Sequence, residues 1–486
     1  MTARRASTQI PPRNRYGVRS AVLWAALFLI GGSRIALAAV GEISRQALDK
    51  TGRFGPVTVL VPAGKPTAIV LYLSGDGGLD ASTRARGQLL AEHGAVVAET
   101  EYRPYVGHYR AASGNPCIWP SIDFQTLAKR VELAASLPRY VPPVLVGEGE
   151  SGSLALVSVA QGPPGSFAGV VTVGLCPLLE TRDPPCSACG HAFFQGGPGN
   201  EVGRLRPPLN LTAPWVAIEA GGLGACPSEA ADELIASAPS ATRVSLEPTT
   251  AGTDSRVSEA LIDAVSRLEV TTTASVPGGA ALDLPLIELP AAGTRDDTLA
   301  VFVSGDGGWA VLDQLVSEAL AANGVSVVGW NAGRYLWQPT TRVEQATQDL
   351  ERITRHYLEA WRKQRLVLAG YSTGADLVAT VARRLPPDLL ERVRAVALIG
   401  PSEGNTLLRP GGEDRDRGAS PEGVDTLSEI LPLAGRRILC IQGSEEPSSL
   451  CPKLPPGFAT ILDLRAGHGF KGDQPAIGRA ILDFLQ

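Results

Sequence analysis

The sequence predicts two α/β domains in tandem, each built on a mostly parallel sheet with helices on both faces. Three observations lead to this fold class. The chain of 486 residues is too long for one ordinary hydrophobic core. Short apolar segments alternate with helical patterns along most of its length. Nearly the same order of motifs also occurs twice, which indicates an internal duplication.

Residues 1–38 have the pattern of a secretory signal peptide. A basic segment with Arg4 and Arg5 precedes the short apolar run Ala21–Ile30, and Ala36–Ala38 offers a small-residue cleavage site. The run is shorter than the roughly 20 residues that a membrane-spanning helix requires, which disfavours an uncleaved anchor. We therefore predict a periplasmic protein whose mature chain begins at residue 39.

The mature chain is expected to be acidic. The leader holds six arginines and no acidic residue, so the formal net charge of −5 becomes −11 once it is removed. Phosphates would be repelled by such a protein, which argues against a nucleic-acid partner. A cationic substrate would suit it better.

The seven cysteines fit an oxidising compartment. Cys440 and Cys451 fall in one short segment and are candidates for a bridge. Cys186-x-x-Cys189 near His191 is compatible with zinc, but no fourth ligand is evident, so we predict disulfides, no metal and no cofactor. An odd total leaves at least one thiol free or paired between molecules. The remaining cysteines are Cys117, Cys176 and Cys226.

The duplication sets the domain boundaries. In each copy an apolar strand leads into the sequence SGDGG, at Ser74–Gly78 and again at Ser304–Gly308. Each copy closes with an amphipathic helix, predicted at residues 257–268 and 477–485. We predict a first domain at residues 39–268, a linker at 269–279 containing Thr271–Ser275, and a second domain at 280–486.

The second domain carries the motif G-x-S-x-G at Gly370–Gly374. An apolar strand leads into it and a helical pattern follows, which is the setting of a nucleophilic serine on a tight turn. The glycines remove the Cβ atoms that would collide there, and the N–H of Thr373 would face a developing oxyanion. At the matching place the first domain has Gly149 in place of Ser372, although a one-residue slide would bring Ser151 close.

His468 is the candidate base. It lies in Ala466–His468, after the last apolar strand, where a loop would carry it to the carboxyl edge of the sheet. The first domain has Thr253 at this place, so the serine and the histidine are absent from the same copy. Residues that are kept together and lost together indicate a functional pair.

The acid of this fold is expected after the penultimate strand, between the serine and the histidine in chain order. Glu446 is our first choice because it lies three residues after Gly443. Glu445 is the alternative, and Glu403 in the preceding loop is a distant third. A carboxylate at this place would hold the imidazole in its useful tautomer.

The turn Ser304–Trp309 is the candidate source of a second oxyanion donor, through the amide of Asp306 or Gly307. It lacks the Lys-Ser/Thr of a phosphate-binding P-loop. Since the turn also occurs in the first domain, part of its role is structural. Trp309 would either wall a substrate pocket or belong to the core, and Tyr371 is the second candidate for substrate contact.

Together these segments resemble the VirJ/AcvB family of exported bacterial virulence-associated proteins. The matching segments are SGDGGW (304–309), GYSTGADL (370–377), the glutamate–cysteine segment (443–451) and GHGF (467–470). The resemblance covers essentially the whole mature chain and implies two α/β-hydrolase-like domains, the first degenerate. Asn331 departs from the pattern, because we expect the family to have aspartate there.

The resemblance implies a periplasmic hydrolase that cleaves aminoacyl esters of phosphatidylglycerol, lysyl-phosphatidylglycerol above all. Its partner would then be a lipid or small ester at the outer face of the inner membrane. Two alternatives stay open. The protein would otherwise be a generic esterase or thioesterase, or a non-catalytic accessory protein of a secretion system, because the first domain keeps the fold without the chemistry.

Overall fold

The structure is a computed structural model. The residues that it describes are 42–49, 51–111, 117–137, 140–185, 194–195, 202–220, 226, 228–247, 253–274, 282, 284–291, 297–336, 343–405, 424–446, 448–470 and 474–486. All of them belong to one compact unit, residues 41–486. Within this part of the chain, no helix is both long and apolar enough to cross a bilayer.

The strands of the described residues are β1 (Ser44–Leu48), β2 (Val57–Val61), β3 (Ala68–Leu73), β4 (Ala95–Thr100), β5 (Val144–Glu148), β6 (Gly169–Val173), β7 (Leu178–Leu179), β8 (Phe194–Gln195), β9 (Gly203–Leu205), β10 (Trp215–Ala220), β11 (Ala241–Leu246), β12 (Leu286–Leu289), β13 (Thr298–Val303), β14 (Ser326–Trp330), β15 (Arg365–Tyr371), β16 (Val393–Ile399), β17 (Gly404–Asn405), β18 (Val424–Asp425), β19 (Ile438–Gly443) and β20 (Thr460–Leu464).

The helices are α1 (Ala81–Glu92), α2 (Tyr102–Ala111), α3 (Pro120–Ala134), α4 (Glu150–Gln161), α5 (Ser228–Ser237), α6 (Thr253–Ala274), α7 (Val311–Ala322), α8 (Ala332–Tyr335), α9 (Val343–Ala360), α10 (Thr373–Ala382), α11 (Pro387–Leu390), α12 (Thr426–Ile430) and α13 (Gln474–Leu485).

Two large sheets repeat one strand order. The first runs β1-β2-β4-β3-β5-β6-β10-β11, and the second runs β12-β14-β13-β15-β16-β19-β20. Once β1 is set aside, the seven strands of one sheet match the seven of the other. The antiparallel pairs are those of the N-terminal strands, β1 with β2, β2 with β4 and β12 with β14, and the other neighbours in these two sheets are parallel. The predicted fold class of two tandem α/β-hydrolase-like domains is confirmed.

Each sheet is buried on both faces. In β13, Leu299, Val301 and Val303 join one apolar cluster, whereas Ala300 and Phe302 join another on the opposite face. Continuous apolar strands of this kind are typical of parallel sheets covered by helices. Each half has a small additional sheet at the corresponding place in its chain order. Strands β7–β9 lie between β6 and β10, and β17 pairs with β18 between β16 and β19.

The helix that ends the first half is longer than the sequence predicted. Helix α6 begins four residues before the predicted helix 257–268 and ends at Ala274, inside the segment predicted as a linker. The helix therefore continues where the threonine-rich composition favoured an irregular segment. The domain limits themselves stay a prediction.

Cysteine pairing follows the sequence in part. The predicted bridge between Cys440 and Cys451 is confirmed. A second bridge joins Cys176 to Cys226, and Cys117 is also disulfide-bonded. Cys186, Cys189 and His191 lie outside the described residues, so the choice between zinc and disulfides there stays a prediction.

Candidate active site

Ser372 occupies a strained turn between β15 and α10. Its φ of 53° and ψ of −126° lie in a region that residues with a Cβ rarely adopt. The flanking glycines explain how the chain passes there. A Cβ on Gly370 would lie 2.3 Å from the carbonyl oxygen of Gly374, and one on Gly374 would lie 2.2 Å from that of Val303. Both positions require glycine because a neighbouring backbone carbonyl occupies the place of a Cβ.

The structure brings Ser372, His468 and Glu446 together. Ser372 Oγ lies 2.9 Å from His468 Nε2, and His468 Nδ1 lies 2.6 Å from Glu446 Oε1. When Nδ1 carries the proton and donates it to the carboxylate, Nε2 is left free to accept the serine proton. The arrangement can therefore increase the nucleophilicity of the serine.

Glu446 rather than Glu445 contacts the imidazole. Glu446 follows β19 in a turn closed by its own N–H, which donates to the carbonyl of Gly443 at 3.0 Å. Its side chain is only 7% exposed, whereas Glu445 is exposed. Glu403 is also exposed and pairs with Lys453. The structure thus places the first of the three predicted acids at the histidine.

Tyr371 and Gly400 both lie against the imidazole of His468. The Tyr371 ring stacks on the His468 ring at 5.4 Å between centroids, and its hydroxyl donates to the backbone carbonyl of His468 at 3.0 Å. Gly400 has a φ of +55°, and a Cβ there would lie 3.3 Å from the ring. Tyr371, predicted as a substrate contact, therefore supports the histidine.

Burial, together with neighbouring carboxylates, keeps the hydroxyl of Tyr371 protonated. Burial raises the pKa of Tyr371, and the nearby carboxylates of Asp313, Glu446 and Asp306 raise it further. The phenol consequently stays protonated, as the hydrogen bond to His468 requires.

The glycine-rich turn passes beside Ser372. A Cβ on Gly305 would lie 3.5 Å from both Ser372 Cβ and Tyr371 Cδ1. Asp306 and Gly307 are exposed, and a Cβ on Gly307 would meet nothing within 4 Å. Thr373 begins α10 directly after Ser372. The three predicted oxyanion donors therefore belong to the two backbone segments that border the serine.

Trp309 belongs to the core. Its side chain is 0% exposed, its ring lies 5.9 Å from that of Phe302, and its Nε1 donates to Gln314 Oε1 at 2.7 Å. A Cβ on Gly329 would collide with the indole at 2.2 Å. The sequence left open whether Trp309 walls a substrate pocket or belongs to the core, and the structure shows that it belongs to the core.

Asn331 supports the glycine-rich turn. It is 5% exposed, and its Oδ1 accepts the N–H of Arg334 at 3.1 Å at the start of α8. A Cβ on Gly308 would lie 3.3 Å from the same oxygen.

Sequence reasoning missed Asp376. This carboxylate is 2% exposed and accepts hydrogen bonds from the N–H and the hydroxyl of Ser402, at 2.9 and 2.5 Å. Burial, with a smaller contribution from the charge of Glu446, raises the pKa of Asp376 to about 7 against the hydrogen bonds from Ser402. The pair joins α10 to the segment that follows Gly400. Its signal in the sequence was an acid four residues after Ser372 in an otherwise apolar helix.

The first half retains the turn without the nucleophile. Gly149 has φ 59° and ψ −123°, close to the values of Ser372. The alternative that a slide brings Ser151 to this place is wrong. Ser151 is 0% exposed, and its hydroxyl accepts the N–H of Glu148 at 2.8 Å, so it is engaged in the first turn of α4.

An ion-pair network stands at this end of the first sheet. Glu148, at the position of Tyr371, pairs with Arg86 at 2.5 Å and accepts a hydrogen bond from Tyr72. Arg86 also pairs with Asp254, the residue after Thr253. Where the second half has its serine and histidine, the first half therefore has Gly149 and Thr253, with this ion-pair network beside them.

Residues 297–486 match the model of the family described as bacterial virulence protein (VirJ). The resemblance inferred from the motifs is confirmed over this stretch, which contains Ser372, His468 and Glu446. No curated protein matches the chain.

Three of the solved structures that resemble this chain each match less than half of it. Est1E from Butyrivibrio proteoclasticus, with ferulic acid bound, is 12% identical and has a TM-score of 0.32, over 41% of this chain and 94% of its own. Dienelactone hydrolase from Anabaena variabilis is 14% identical with a TM-score of 0.32, over 46% and 97%. Esterase 2 from Thermogutta terrifontis is 19% identical with a TM-score of 0.31, over 41% and 88%.

Proposed function

We propose that this protein is a serine-dependent ester hydrolase that acts through Ser372, His468 and Glu446. The observation that carries the proposal is the continuous chain of short contacts from Ser372 Oγ to His468 to the nearly buried Glu446. Nucleophile, base and orienting acid at hydrogen-bond distance are the signature of nucleophilic catalysis.

The proposed reaction has two stages. Ser372 Oγ attacks the ester carbonyl while His468 Nε2 takes its proton, and the imidazolium is stabilised by Glu446. The amide of Thr373 and an amide of the Asp306–Gly307 segment stabilise the oxyanion. His468 then gives its proton to the leaving alcohol, and a water activated by the same imidazole releases the acyl group from the serine.

We further propose that the substrate is an aminoacyl ester of phosphatidylglycerol, with lysyl-phosphatidylglycerol first. The family match supports this choice, and so does the acidic surface near the serine. Asp306 and Glu445 are both exposed in segments that border Ser372 or Glu446. Carboxylates at this place would attract the two ammonium groups of a lysyl ester. The predicted leader would place the reaction in the periplasm.

The first experiment compares the mature protein with the Ser372→Ala variant on vesicles that contain lysyl-phosphatidylglycerol. Free lysine and phosphatidylglycerol are followed over time. We expect release by the wild type and a loss of at least about 1,000-fold in the variant, because the nucleophile is gone. The matched control is Ser266→Ala, an exposed serine on α6 whose hydroxyl donates to the carbonyl of Ile262 in its own helix.

Other outcomes select the alternatives. If neither protein releases lysine but a fluorophosphonate labels Ser372, the protein is an esterase or thioesterase with another substrate. If Ser372 is not labelled either, the serine is not activated and the accessory role without catalysis replaces the proposal.

A further inference from the structure

The two halves contact each other at the glycine-rich turn beside Ser372. Lys129, on α3 of the first half, donates from Nζ to the backbone carbonyl of Asp306. In the opposite direction, Arg334 of α8 donates to the carbonyl of Gly165 in the first half and lies 4.6 Å above the Tyr140 ring. Both contacts involve the segments that carry or support the 305–308 turn.

The hydrogen bond from Lys129 restrains the peptide bond between Asp306 and Gly307. In a trans peptide the C=O and the N–H point in opposite directions, so fixing the Asp306 carbonyl fixes the direction of the Gly307 N–H. Glycine accepts either sign of φ, which makes the Gly307–Gly308 segment prone to rotation of this peptide. Gly307 is exposed, and a Cβ on it would meet nothing within 4 Å, so no neighbour packs against that side of the residue.

The Arg334 contact supports the same turn from another side. A Cβ on Gly333 would lie 2.4 Å from Gly308 N and 2.8 Å from the Asp306 carbonyl oxygen, so the backbone of α8 packs directly on the turn. Arg334 is the next residue, and its guanidinium is held by the first half. Contact between the halves therefore reaches α8, which in turn packs on the turn.

We propose that the first half, which has Gly149 and Thr253 where the second has Ser372 and His468, positions the Asp306–Gly307 peptide of the second half through Lys129. The ammonium holds the carbonyl so that the Gly307 N–H keeps one orientation. It also polarises the peptide, which makes that N–H a stronger donor. Use of the amide in catalysis rests on the function proposed above, whereas the restraint of the peptide does not.

The test compares three variants. Lys129→Met keeps the length of the side chain and removes the donor, Lys129→Arg keeps a donor, and Arg130→Met changes the exposed neighbour on the same helix. Turnover of a p-nitrophenyl ester gives kcat and KM, and thermal melting checks folding. Amide hydrogen exchange of the 304–309 segment is followed at short times. In this segment the N–H of Ser304 donates to the carbonyl of Trp330, and the N–H of Gly308 donates to the carbonyl of Gly305.

We expect Lys129→Met to lower kcat by about 10- to 100-fold with KM changed less than about two-fold, because an oxyanion donor acts mainly in the transition state. Lys129→Arg should recover most of the loss, and Arg130→Met should match the wild type. Exchange in the 304–309 segment should accelerate in Lys129→Met alone.

Two results would overturn the inference. One is an unchanged kcat in a folded Lys129→Met protein, and the other is unchanged exchange in the 304–309 segment. If the wild type neither turns over the ester nor reacts with a fluorophosphonate, the proposed function fails, and the exchange comparison by itself decides whether Lys129 restrains the turn.

Discussion

Replacement of Glu446 by glutamine tests the assignment of the acid. The carboxylate is 2.6 Å from His468 Nδ1, and its other oxygen, Oε2, is buried without a hydrogen-bond partner among the described residues. Glutamine keeps the shape of the side chain and removes the charge. Its amide has two orientations, and each of them has a cost that follows from the geometry.

If the amide nitrogen faces His468, two N–H groups oppose each other unless the imidazole takes the wrong tautomer, with its proton on Nε2. Loss of the tautomer costs about 10⁴-fold in a serine protease, or about 5.5 kcal/mol. If the amide oxygen faces His468, the tautomer survives, but two donors are buried at the site of Oε2 and the imidazolium loses its counter-charge. An unsatisfied buried donor costs about 1–3 kcal/mol.

We therefore expect Glu446→Gln to lower kcat for an ester substrate by about 10²- to 10⁴-fold. The matched control is Glu445→Gln, which changes the exposed neighbour and should keep kcat within about two-fold of the wild type. Both proteins are compared by steady-state kinetics near pH 8 and by the rate of fluorophosphonate labelling. A larger loss in Glu445→Gln than in Glu446→Gln would refute the assignment of the acid.

Two further predictions concern stability. Asp313 is 0% exposed, accepts the N–H of Ala310 at 2.8 Å, and has its pKa raised to about 8 by burial, against its backbone hydrogen bonds. Between the ordinary pKa of 3.8 and about 8 the folded state holds more protons than the unfolded state, so this group makes the free energy of unfolding fall as the pH rises. Asp313→Asn cannot ionise and should gain stability relative to the wild type between pH 5 and 8 in urea unfolding, whereas a parallel decline in both proteins, or a gain in the exposed control Asp483→Asn, would contradict this. The Cys440–Cys451 bridge closes the segment that carries Glu446, so its reduction should lower the melting temperature and kcat together. The double variant Cys440→Ser/Cys451→Ser should behave like the reduced protein, and full activity in that variant would show that the bridge does not hold Glu446.

Local patterns predicted the parts of the site that depend on neighbours in the chain. The turn around Ser372 follows from its glycines, and the order of serine, acid and histidine follows from the order of parallel strands. The choice between Glu446 and Glu445 needed only the length of one turn after β19. These features could be predicted because each one is determined within a few residues.

Features that depend on distant contacts could not be predicted in the same way. An apolar Trp309 fits a pocket wall and a core equally well until Phe302 and Gly329 are placed around it. Ser151 looked able to slide into the turn because its bond to the Glu148 N–H is not visible in the sequence. Lys129 is an ordinary helix-surface residue by pattern, and its importance appears only when the two halves meet.

The Gly149 turn has a consequence for how such proteins are recognised. The backbone of the first half adopts nearly the angles of Ser372, although it bears no hydroxyl and no histidine stands where His468 does. The sharp connection between strand and helix is therefore kept by a segment that has neither of these side chains. Glycine accepts these angles at little cost, so mutation away from serine would relieve strain while it ended catalysis. A search that relies on backbone shape alone would count two reactive centres in this chain, whereas side-chain chemistry supports one.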